Sequence, residues 1–147
     1  MRLALLLGLV VALAAPALAQ APPPQNPDRM VRTAAAETPF APLFPGVEAY
    51  TLYGGLGADA PTAILATTDP AASVAIPHTH THGYWGYVLA GRHQHWELSE
   101  PDQGPILTAG SSWYQPAGEP HADKCLGPEA CVTLVVFDVA ADFVPSE

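Results

Sequence analysis

The chain has 147 residues, 14 of them acidic against five basic, with a formal net charge of −9 at pH 7. A surface this acidic, with no basic cluster to override it, repels nucleic acid and anionic membrane, which leaves a small molecule as the expected partner. The length suits one domain with one core.

The first 19 residues read as a segment to be removed. Met1-Arg2 supplies one positive charge, Leu3 to Ala15 is uncharged and apolar, and Ala17-Leu18-Ala19 is a small-x-small cleavage site. That is the layout of a secretory signal peptide. The apolar run of about 13 residues is short of the roughly 20 that span a bilayer, and Pro16 interrupts it. Arg2 stands alone, so there is no twin-arginine signal. No cysteine follows to carry a lipid. The expectation is a periplasmic or secreted protein, cleaved after Ala19 and without membrane attachment thereafter. Residues 20–38, "QAPPPQNPDRMVRTAAAET", are proline-rich and polar and show no hydrophobic period. They read as a flexible arm, and exchange of that arm with a second copy would make a homodimer.

From residue 39 to residue 147 the pattern is that of one β domain. "VEAYTLYG", "TAILATT", "SVAIPHTHTH", "YWGYVLAG", "RHQHWELS", "PILTAG", "SWYQP", "HADKCL" and "CVTLVVFDV" are the predicted strands, separated by Gly, Pro and Asp. None shows a sustained helical period. Many short strands at even spacing predict an all-β sandwich or small barrel.

All six histidines lie between His78 and His121. Side chains alternate faces along a strand, so His78, His80, His82 and Tyr84 share one face if "HTHTHGY" is one strand. A two-residue turn at Ala90-Gly91 would pair Val88 with His93 and Gly86 with His95. That register puts His93, His95 and Glu97 on the same face, and Trp85 and Trp96 together on the reverse. Several imidazoles on one face point to a metal, because neutral imidazole is the commonest metal ligand near neutral pH. Such binding should weaken below about pH 6. His82, Tyr84, His93, His95 and Glu97 are further candidates for the pocket. His95 and Glu97 would serve as acid-base groups or as partners that orient a ligand imidazole. His82 reads as a rim residue or a substitute ligand, and Tyr84 as a proton donor or a space-filling phenol.

Two cysteines flank a Gly-Pro turn in "KCLGPEACV". A five-residue loop would place Cys125 opposite Cys131 at a separation that a disulfide accepts, in a compartment that favours oxidation. Thiol ligation and two inert thiols are the alternatives.

Residues 110–125, "GSSWYQPAGEPHADKC", resemble the second cupin motif, with Gly110, Pro116, Gly118 and His121 at its four positions and Cys125 where the motif closes with Asn. Residues 78–91 resemble the first motif through His78, His80 and Gly91. Tyr84 stands at the position of its acid, and Ala72 at that of its leading glycine. More narrowly, the wording is similar to small cupins of uncharacterised function near those grouped with an anti-sigma-factor cupin domain. The resemblance covers roughly residues 40–140. It implies a double-stranded β-helix, a jelly-roll-like conical barrel, with His78, His80 and His121 as ligands of one divalent ion: Fe, Zn, Mn, Ni or Cu. Tyr84 in place of the acid implies a three-histidine site with open positions. Some cupin oxygenases work with such a set, so the resemblance implies a dioxygenase-type enzyme acting on a small oxygen-bearing substrate. The alternative is a non-catalytic module that binds or senses a small ligand or the metal. No catalytic residue beyond the ligands can be assigned from the motifs.

Overall fold

The alternation along the chain closes into two facing antiparallel sheets in the computed structural model, which describes residues 29–146. The leader expected over residues 1–19 and the arm up to residue 28 lie outside the described residues. Residues 29–37 are exposed and hold one 3-10 turn, Ala35–Glu37. Among the described residues no helix is long and apolar enough to cross a membrane.

In chain order the strands are β1 (Ala41–Phe44), β2 (Val47–Tyr53), β3 (Thr62–Thr68), β4 (His78–Thr79), β5 (Tyr84–Ala90), β6 (Arg92–Glu97), β7 (Leu107–Thr108), β8 (Ser112–Gln115), β9 (His121–Cys125), β10 (Cys131–Phe137) and β11 (Val144–Pro145). One sheet runs β1-β2-β3-β10-β5-β8 and the other β11-β4-β9-β6-β7. This is the jelly-roll, double-stranded β-helix arrangement. Strand parity sets its inside. Along β5, Tyr84, Gly86 and Val88 are buried, while Trp85, Tyr87 and Leu89 face solvent. The β-branched run of β10 sits between β3 and β5 and is paired on both edges, as its strand propensity favours.

The expected hairpin at Ala90-Gly91 does not form. Gly91, at φ +84, carries the chain from one sheet into the other. β5 then pairs with β10 and β8, and β6 with β9 and β7. A tight hairpin and a corner between sheets ask for the same residue, a glycine with positive φ. The corner gives each strand two partners instead of one. Trp85 and Trp96 therefore never meet. Trp85 is 60% exposed against Tyr114, ring centroids 5.1 Å apart, whereas Trp96 is 8% exposed on the other sheet. Nor is "SVAIPHTHTH" one strand, for only His78–Thr79 pairs.

The cysteines also differ from a hairpin pair. Cys125 ends β9 in one sheet and Cys131 begins β10 in the other. Their Cα atoms are 5.7 Å apart and their sulfurs 2.10 Å, so the link joins the two sheets.

The interior is only partly apolar. Tyr84, Phe137 and Ala141 pack with Leu56, Trp113 and Val135. Beside them His78, His80, His93, Gln115 and His121 are buried as well. Buried polar groups need partners, and where those partners come from defines the site.

Candidate metal centre

Cross-strand pairing of β4 with β9 sets His78 directly opposite His121. His80 follows in the turn after β4. The ring centroids lie 4.2 Å apart for His78–His121, 5.0 Å for His78–His80 and 5.3 Å for His80–His121. One ligand nitrogen from each lies within 4.8 Å of the other two. Three nitrogens that share an ion at about 2.1 Å sit about 3.4 Å apart at tetrahedral angles, so the rings need to close by at most about 1.4 Å.

The three rings are held in one tautomer. His78 Nδ1–H donates to the Ile76 carbonyl at 2.8 Å, His121 Nδ1–H to the Glu119 carbonyl at 2.8 Å, and His80 Nδ1–H to the Asp142 carbonyl. Each Nε2 is left as the lone-pair nitrogen, the arrangement that orients ligand imidazoles in metal sites. The Asp142 carboxylate accepts from the Thr81 backbone N–H at 2.9 Å and from the Thr81 hydroxyl, which ties the turn carrying His80 to the C-terminal segment. Phe143 stacks on His78 with centroids 4.3 Å apart. Neither Asp142 nor Phe143 was legible as a site residue. They reach the histidines from some 60 positions away, and no local pattern marks them.

Burial disfavours the charged form of two of these rings. It lowers His80, and it lowers His121 to about 3 with help from the neighbouring imidazoles His78, His95 and His80, against the opposing Glu119 hydrogen bond. Protons therefore compete with a metal for His121 only in strong acid.

Tyr84 occupies the wall where the first cupin motif would place an acid. Its hydroxyl donates to His121 Nε2 at 3.3 Å, its ring stacks on Phe137, and burial raises its pKa, so it stays a phenol. His93 and His95 project from β6 into the same cavity, and burial lowers both, His95 to about 4. Gln115, which sequence reasoning missed, accepts from His95 Nε2–H at 2.8 Å. Its amide donates to the Pro116 and Glu119 carbonyls, both at 3.4 Å. The remaining two candidates lie elsewhere. His82 is half-buried and Glu97, opposite His121 in the β6–β9 pairing, turns its carboxylate to the Ser99 hydroxyl at 3.3 Å. Neither lines the cavity. The cavity has a volume of about 150 Å³, and its other walls are mainly apolar, among them Phe44, Ile64, Val135, Phe137 and Phe143.

Residues 64–137 match the family model described as the cupin domain. No curated protein matches the chain by sequence. Among solved structures, KdgF from Halomonas sp. is 20% identical at a TM-score of 0.56, covering 78% of this chain and 94% of its own. The polyketide cyclase RemF from Streptomyces resistomycificus is 24% identical at 0.61, covering 81% and 87%. Oxalate decarboxylase from Bacillus subtilis, described with Mn(II) centres, is 20% identical at 0.51, covering 63% of this chain and 26% of its own. At these identities the likeness is one of fold.

Proposed function

This chain belongs to the cupin superfamily, and from that premise we propose that it holds one divalent metal ion at His78, His80 and His121 and presents it to a small oxygen-bearing molecule. The observation that carries this reading is the shared tautomer. Three buried imidazoles each spend Nδ1–H on a backbone carbonyl and leave Nε2 for a ligand bond. The donor set fits an ion of the iron, nickel, copper or zinc type, which neutral imidazole suits.

A bound ion would supply Lewis acidity or, if it were iron, dioxygen chemistry. The chain's own residues do the rest. With no carboxylate among the three ligands, the site would keep the ion's full positive charge and favour anionic or enolisable ligands. Phe143 and Phe137 pack on His78 and His80 and give the cavity an apolar side there. The Tyr84 hydroxyl holds a proton beside His121 that it can donate to a ligand oxygen. His95 has its Nε2–H committed to Gln115, which leaves Nδ1 as a proton acceptor.

We propose further that the activity is of the dioxygenase type and that the protein is exported, the latter supported by the pattern of residues 1–19. Dioxygen uptake by iron-loaded protein over a panel of small diketones, phenols and thiols tests the activity. Uptake that disappears in His121→Ala supports it. Tight binding of a panel member without uptake favours the non-catalytic module. N-terminal sequencing of protein taken from the native host should begin at Gln20, and an intact Met1 would contradict export.

A further inference from the structure

Beside the three proposed ligands, with His95 5.0 Å from His121 by ring centroid, the cavity carries a second polar group. His93 is 5% exposed, and neither of its ring nitrogens has a hydrogen-bond partner. His95 Nδ1 is likewise buried and unpartnered, and Trp113 Nε1, whose nearest polar neighbour is the Tyr84 hydroxyl, makes no hydrogen bond of good geometry. The three rings stack, with centroids 5.1 Å apart for His93–Trp113 and 5.0 Å for His95–Trp113, and all three line the cavity together with Asp123. Buried polar atoms without partners are costly, and each calls for an explanation.

The unpartnered atoms specify what would satisfy them. Trp113 Nε1–H is a donor only. Gln115 holds the His95 proton on Nε2, so His95 Nδ1 is an acceptor. A neutral His93 adds one donor and one acceptor. This group thus offers both kinds of atom. A hydroxyl, which donates one hydrogen bond and accepts two, matches them. A carboxylate can only accept, and it would meet Asp123. An alkyl group would leave all four atoms unpaired. The cavity's volume of about 150 Å³ is that of an apolar cavity that admits one benzene ring, and its aromatic and aliphatic walls suit a flat apolar body.

We propose that His93, His95 and Trp113 form a hydroxyl-recognition subsite, and that the protein's ligand is a single-ring phenol or cyclic alcohol. The inference rests on the metal-centre reading only for what the rest of the ligand would face.

Phenol and toluene, titrated into 15N-labelled protein both metal-free and zinc-loaded, test this. They have nearly the same size, and an apolar cavity prefers toluene because phenol must leave its bonds to water. The subsite predicts phenol binding about tenfold tighter than toluene, with a shift of the Trp113 indole N–H resonance. In His93→Phe, which keeps the ring volume, toluene should become the tighter ligand. In Trp113→Phe, which keeps the stack and loses the N–H, phenol's lead should shrink. Toluene binding as tightly as phenol in the wild type would overturn the proposal, and so would a phenol preference that survives both substitutions. Zinc content, measured on the same samples, reads the metal centre separately, because the phenol preference is expected with or without the ion.

Discussion

Tyr84 sets how readily the three imidazoles can take an ion, because its hydroxyl already donates to His121 Nε2 at 3.3 Å. An ion at that nitrogen must displace this hydrogen bond, which contributes about 0.5–1.5 kcal/mol net. Tyr84→Phe should therefore tighten zinc binding roughly two- to tenfold, measured by competition with a chromophoric chelator. Weaker binding would mean that the phenol helps hold the ion. Tyr84→Glu tests the same position from the other side: a carboxylate there should add a fourth ligand and tighten binding further. A cobalt-loaded wild type should change its spectrum on adding azide, and the glutamate variant should change less. At this scale the sequence was informative for the three histidines that come together and silent on what orients them. His78, His80 and His121 stand at motif spacings. The carbonyls of Ile76, Glu119 and Asp142 leave no trace in residue type, and Gln115 is one glutamine among several.

Elements that cross from sheet to sheet hold the site together, and they are where local reading failed. The alternation in 84–90, and the short apolar or β-branched runs in 47–53, 62–68, 92–97 and 131–137, mark strands because each must bury a face. They do not say which strand pairs with which, since Gly91 serves a corner as well as a hairpin. β1 and β11 carry too few residues, with Pro42 and Pro145 among them, to show a period. Gly86 has a particular duty in this layout. The Trp113 ring lies over it, so an added Cβ would sit 2.0 Å from a ring atom. Gly86→Ala should cost roughly 1–3 kcal/mol of stability as the ring is driven off, read by urea denaturation. An unchanged midpoint would show that Trp113 has room to move. The Cys125–Cys131 link should protect both thiols from alkylation under non-reducing denaturation. Its reduction should cost about 2 kcal/mol, since the loop it closes is short. Two alkylated cysteines in protein from an oxidising compartment would remove the link from the account.

The whole molecule places buried neutral histidines between two sheets, and this makes its stability depend on acid in a defined direction. His121 and His95 titrate at about 3 and about 4 in the folded protein because burial opposes their charge, and near 6.5 once unfolded. Below pH 6.5 the unfolded chain binds more protons than the fold, so the metal-free protein should lose stability as pH falls from 6.5 toward 4. Chemical denaturation at pH 7, 5.5 and 4.5 checks this, and a midpoint independent of pH would mean that these rings are not buried neutral. Added zinc should raise the midpoint at pH 7 by mass action. The most direct test of the central claim is metal content after dialysis against a weak chelator, for the wild type and for His121→Ala with its β-sheet circular dichroism intact. One divalent ion per wild-type chain and a near-complete loss in the variant are expected. One ion per chain retained by His121→Ala, or none in the wild type after loading with zinc, iron or copper, would contradict it.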